Sequence, residues 1–107
     1  MKRLLKYSSL LKTLNSASPS TTKAIIQTSD RGLIDTLCDC CHNILKGNVP
    51  LSKAQKNRLH RHKRVLRKLT EKQSLKVKKG LLQKGGFLSA LLGPVIGVLG
   101  SLLSGES

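Results

Sequence analysis

A chain of 107 residues carrying 20 Lys and Arg against five Asp and Glu, a formal charge of +15, has room for one small domain and far more positive charge than solubility requires. A polycation of this strength calls for a polyanionic partner, with nucleic acid first and an anionic membrane surface second. Tyr7 and Phe87 are its two aromatic residues, so the apolar content rests on Leu, Ile, Val and Ala, which favours short helices over sheets.

The N-terminal stretch places Leu4, Tyr7, Leu11 and Leu14 at helical spacing, with Leu5 and Leu10 in support, and predicts one amphipathic helix over about 2–15. Lys2, Arg3, Lys6 and Lys12 occupy its other face. Lys6 and Lys12 also interrupt the apolar run, so the segment reads as a helix and not as a secretory leader. After the turn-rich NSASPSTT, Ser18-Pro19 suits the cap and first position of a helix containing Ala24, Ile25 and Ile26.

Asp30 is placed to cap the best-patterned helix, in which Leu33, Ile34, Leu37, Cys38, Cys41, Ile44 and Leu45 follow the i, i+3/i+4, i+7/i+8 rule. Gly47 supplies a left-handed stop and Asn48 to Pro50 a turn. Ser52 caps a basic helix over about 53–70 with a sparse stripe of Leu59, Val65, Leu66 and Leu69, and a short helix over about 74–83 offers Leu75, Val77, Leu81 and Leu82. No period-2 alternation of any length occurs. The expectation is an all-α protein, a small bundle of three or four short helices with a basic helix and an apolar, Gly-rich C-terminal tail. Its regions would be 1–50 (helical), 51–84 (basic, DNA-binding) and 85–107 (the tail).

The basic region concentrates Lys53, Lys56, Arg58, Arg61, Lys63, Arg64, Arg67, Lys68, Lys72, Lys76, Lys78, Lys79 and Lys84 against the single acid Glu71. A straight helix over 53–70 would be about 27 Å long and would set its cations against several phosphates. Each phosphate neutralised releases a counterion and makes binding steeply salt-dependent. The region lacks the aromatics that stack on unpaired bases and has few Asn or Gln to read base edges, so the expected partner is double-stranded DNA bound without sequence preference. His60 and His62 read as titratable helpers on a solvated face. RHKRVLRK is also the kind of cluster that serves nuclear import.

The string CDCCH, from Cys38 to His42, holds zinc-type ligands, but Cys38 and Cys41 share the apolar stripe with Leu37 and Leu45, where cysteine packs as a small hydrophobe. Three cysteines so close together cannot staple distant loops, which fits a reducing compartment. No catalytic set, metal site or cofactor motif is expected, and the chain reads as non-enzymatic.

From Gly85 to Gly105 there is no charge. Phe87, Leu88, Leu91, Leu92, Val95, Ile96, Val98, Leu99, Leu102 and Leu103 supply its apolar contacts, Pro94 interrupts it, and Gly93 and Gly97 form a GxxxG pair. Three uses compete: insertion into or along an anionic membrane as a hairpin, docking on a partner protein such as a capsid subunit, and a transmembrane anchor. An apolar patch of this size also favours self-association.

The order of parts, with LHRHKRVLRKL at 59–69 and KKGLLQKGGFLSALLGPVIGVLGSLL at 78–103, resembles the precursor of the adenoviral core peptide mu and the related small proteins of Maverick/Polinton and adintovirus-like elements. The resemblance covers the C-terminal half. It implies condensation of viral double-stranded DNA in the virion core, capsid proteins as partners, location in the virion and host nucleus, and proteolytic processing at Gly85-Gly86. The chain departs from the family's cleavage pattern at Gln83, where Met, Ile or Leu would stand. A membrane-active protein is the alternative function, and a ribosomal or chromatin accessory protein a third reading.

Overall fold

The computed structural model describes residues 2–105, with side chains from Leu4 to Gly100. Among these residues there are eight helices and no strand, in the order α1 (Lys2–Lys6), α2 (Ser8–Ser16), α3 (Pro19–Thr28), α4 (Arg31–Leu45), α5 (Lys53–His60), α6 (Lys63–Leu69), α7 (Leu75–Leu82) and α8 (Phe87–Gly105). The chain is all-α, as its periodicity predicts, but with eight helices among the described residues where three or four were expected.

Local chemistry sets most of the boundaries. The Ser18 side chain accepts from the Thr21 amide with Pro19 in the first turn, and Asp30 accepts from the Leu33 amide at 3.0 Å. Ser52 and Gln55 form a reciprocal capping box at the start of α5, and Ser74 accepts from the Val77 amide at the start of α7. Helix α4 closes as the sequence predicts. Gly47 adopts φ 78°, its amide bonds to the Ile44 carbonyl, and the Asn48 amide bonds to the Asn43 carbonyl, which satisfies two of the free carbonyls of the last turn.

Two predicted helices are broken, neither by Gly nor by Pro. The stretch 2–15 divides at Tyr7, whose ring stands against Gly32 in the first turn of α4, where a Cβ would collide with the phenol hydroxyl. The basic helix 53–70 divides at Arg61–His62, with His62 at φ −111° and ψ 17°. In a straight helix Leu59 and Leu66, seven residues apart, would face the same neighbour. The elbow lets α5 lie against α8 while α6 lies against α4 and α7, so both leucines are buried, but on different partners.

The largest correction concerns the C-terminal run, which is folded in as α8 and packs against α2, α5 and α4. One continuous core cluster runs from Leu4 through Ile34, Leu37 and Leu66 to Phe87, Leu91 and Leu99. All three expected regions therefore contribute to a single core. A chain of this length buries only roughly 60% of its surface without help, and α8 is its richest source of apolar side chains. Pro94 is buried within α8, where it removes one helical hydrogen bond. The flanking leucines and valines offset that cost through burial, at roughly 1.5–3 kcal/mol for each fully buried side chain.

Candidate nucleic-acid interface

The break at Arg61–His62 shapes the basic surface. In place of a 27 Å rod there are two short pieces, α5 of eight residues and α6 of seven, about 12 Å and 10 Å long at the helical rise. On α6, Val65, Leu66 and Leu69 turn toward the protein, while Lys63, Arg64, Arg67 and Lys68 are exposed. Their spacing of i, i+1, i+4 and i+5 makes one compact quartet. On α5, Lys53 and Lys56 are exposed, and Arg61 follows at the elbow. Lys72, Lys76 and Lys84 are also exposed, outside these two helices.

Three of the thirteen predicted phosphate-binding cations are engaged within the fold. The Lys79 ammonium donates to the carbonyls of Gln27 at 3.0 Å and Ser29 at 2.9 Å, closing the C-terminal end of α3, where a positive charge is favoured. Lys78 stands 3.9 Å from the Asp35 carboxylate. The Arg58 guanidinium donates to the Ser89 hydroxyl in the first turn of α8 at 3.2 Å, while the arginine itself remains exposed.

Among the described residues the acids lie on or at the start of α4 and just beyond the end of α6, where Glu71 follows Lys68 by three positions. Asp30 is the α4 cap, and Asp35, Asp39 and Glu71 line one hollow together with Lys78 and His42. The hollow borders the end of α6 at Leu69 and Thr70, and α6 itself carries no carboxylate. Exposed cations outside 53–84, namely Lys6, Lys12, Lys23, Arg31 and Lys46, were not assigned to phosphate binding from the sequence. They are dispersed along the chain, and no local density marked them.

His62 and His60 diverge. His60 is exposed, whereas His62 is half-buried with its ring edge-on to Phe87. Of the predicted membrane or partner contacts, Phe87, Leu88, Leu91, Leu92, Val95 and Leu99 are buried in the core, and Ile96 and Val98 pack partly against it. Leu102 and Leu103 lie outside the residues whose side chains are described. The bare apolar patch that favoured self-association is thus largely covered within the chain. Gly85 and Gly86 form the exposed turn between α7 and α8, with Gly86 at φ 79°. Among the described residues no single helix is long and apolar enough to cross a membrane, although Leu75–Leu82 with Phe87–Gly100 could together form a broken span bent by 89°.

The cysteine string is interior. Cys38, Cys40 and Cys41 are free thiols and all buried, so Cys40 joins the core with the two that the helical stripe predicted. Desolvation raises all three pKa values: Cys40 is pushed up to about 12 and Cys41 well above its ordinary value, while the nearby Lys78 charge partly opposes the rise at Cys38. Such thiols are poor nucleophiles and poor metal ligands. Among the described residues, no three His, Cys, Asp or Glu side chains converge as a metal site.

No protein-family model, no curated protein and no solved structure matches this chain.

Proposed function

We propose that this chain is a non-enzymatic protein that binds and neutralises double-stranded DNA without reading its sequence, in the setting of a virion core. The observation that carries the reading is the exposed quartet Lys63, Arg64, Arg67 and Lys68 on α6, with Lys53, Lys56, Arg61, Lys72, Lys76 and Lys84 exposed outside it, while Asp30 caps α4 and Asp35 pairs with Lys78. A surface of this kind gains affinity by releasing counterions from the phosphate backbone. It presents no Phe, Tyr or Trp ring for stacking, which favours duplex over unpaired strands. The virion setting, capsid partners and nuclear location rest on the resemblance of 59–69 and 78–103 to the mu-type core proteins. Titrating the full chain against two duplexes of unrelated sequence tests the reading: equal affinities are expected, and a preference of more than tenfold for one duplex contradicts it.

The second reading, a membrane-active α8, is favoured by the uncharged composition of α8 and the bent α7–α8 pair. Because α8 also supplies the core, insertion requires it to leave its place among α2, α4 and α5. Gly97 faces open space in the fold, so Gly97→Lys spares the folded state but costs about 3 kcal/mol at the centre of a bilayer. Leakage of anionic vesicles caused by the native chain and abolished by Gly97→Lys supports insertion. Leakage unchanged by the substitution removes it.

A further inference from the structure

Between the α2–α3 turn and the α7–α8 turn lies an open cleft of about 520 Å³, within the roughly 300–1,000 Å³ range of small-molecule sites. Leu14, Leu82, Leu88 and Leu92, all members of the core, line its floor. Lys23 of α3 and Lys84 of the α7–α8 turn stand exposed on its rim, and among the described residues no Asp or Glu lines it. The two lysines are 61 positions apart in sequence, so only the fold brings them to one opening.

Each part of this lining selects part of a ligand. The leucine floor favours a hydrocarbon chain, whose burial gains affinity with every methylene. The lysine rim, uncompensated by acid within the cleft, favours an anionic head. No aromatic ring lines the cleft to stack on a nucleobase. We propose that the cleft binds one free, single-chain anionic amphiphile, with its chain on the leucine floor and its phosphate or carboxylate head between Lys23 and Lys84. None of the α6 quartet lines the cleft; Lys84 is the one cation the cleft shares with the proposed DNA-binding set.

Calorimetric titration of the full chain with octyl phosphate, dodecyl phosphate, dodecanoate and inorganic phosphate, each below its micellar concentration and at fixed ionic strength, tests the proposal. One molecule should bind per chain, with affinity rising by up to about fourfold per methylene between the two alkyl phosphates. Comparison of dodecyl phosphate with dodecanoate reports which head the lysines prefer. Ala17, at the cleft edge in extended backbone, accepts Ala17→Leu, which narrows the cleft at constant charge and should weaken dodecyl phosphate at least tenfold while leaving duplex DNA affinity unchanged. Paired Lys23→Gln and Lys84→Gln should weaken it at least tenfold, and paired Lys68→Gln and Lys72→Gln less than twofold. Dodecyl phosphate affinity equal to that of inorganic phosphate, undiminished by Ala17→Leu, or weakened equally by both lysine pairs overturns the proposal.

Discussion

The imidazole of His62 meets the ring of Phe87 edge-on, with 5.8 Å between centroids and 70° between planes. This pair joins the elbow of the basic segment to the first residue of the apolar helix, tying the most charged and the least charged parts of the chain into one fold. Phe87 is fully buried, so Phe87→Ala should cost about 3–5 kcal/mol, a large share of the roughly 5–15 kcal/mol typical of a small domain. His62→Ala should cost about 1 kcal/mol through loss of the aromatic pair. Urea midpoints measure both, and an unchanged midpoint for Phe87→Ala would place α8 outside the core.

The diglycine divides its labour unequally. Gly86 adopts φ 79°, whereas Gly85 has no positive φ and faces open space. Gly86→Ala should therefore destabilise by about 1–2 kcal/mol, and Gly85→Ala should be neutral or stabilising by up to about 1 kcal/mol through the unfolded chain. Thermal melts of the two variants should separate in that order, and equal shifts would contradict the turn geometry.

Lys79 should act on folding more than on DNA. Its ammonium holds the end of α3 through Gln27 and Ser29, so Lys79→Gln should lower stability by about 1 kcal/mol. The exposed neighbour Lys76 should show no stability change when replaced in the same way. Loss of DNA affinity in Lys79→Gln equal to that in Lys68→Gln would return Lys79 to the phosphate-binding set.

Cys40 gives a pH signature. In the unfolded chain its thiol ionises near 9.0, but in the fold only near 12, because burial disfavours the thiolate. Across that window the unfolded state holds fewer protons, so stability falls as pH rises, by about 1.4 kcal/mol per pH unit for one such thiol. Below pH 9 both states keep the proton and the effect vanishes. The stability difference between the native chain and Cys40→Ala should accordingly narrow between pH 9 and 11. A constant difference would mean that Cys40 is accessible to solvent.

Helix starts and stops were the most legible features, because they depend on local hydrogen bonding. Ser18, Asp30 and Ser52 cap where the sequence places them, and Gly47 ends α4. The breaks at Tyr7 and His62 were illegible because the causes lie elsewhere in the chain, Gly32 for one and the separate partners of Leu59 and Leu66 for the other. The fate of α8 was misread for a related reason. Glycines and Pro94 lower helix propensity, but in so small a core burial outweighs propensity. Of the candidate site, the cations and their density were plain in the sequence. Their division by the elbow, and the use of Lys78 and Lys79 in folding, follow from tertiary contacts that no local pattern encodes.

The central claim is that phosphate neutralisation by exposed cations, with the α6 quartet at their centre, drives binding, and the salt dependence of DNA affinity tests it most directly. For the native chain, the logarithm of the binding constant should fall linearly with the logarithm of salt concentration, at a slope of about −0.9 per phosphate neutralised. Replacing Lys63, Arg64, Arg67 and Lys68 together by Gln should weaken binding to unrelated duplexes alike and reduce the slope by up to about 4, roughly one unit for each phosphate left without its cation. Affinity insensitive to salt, or a slope unchanged by the fourfold replacement, would contradict the account.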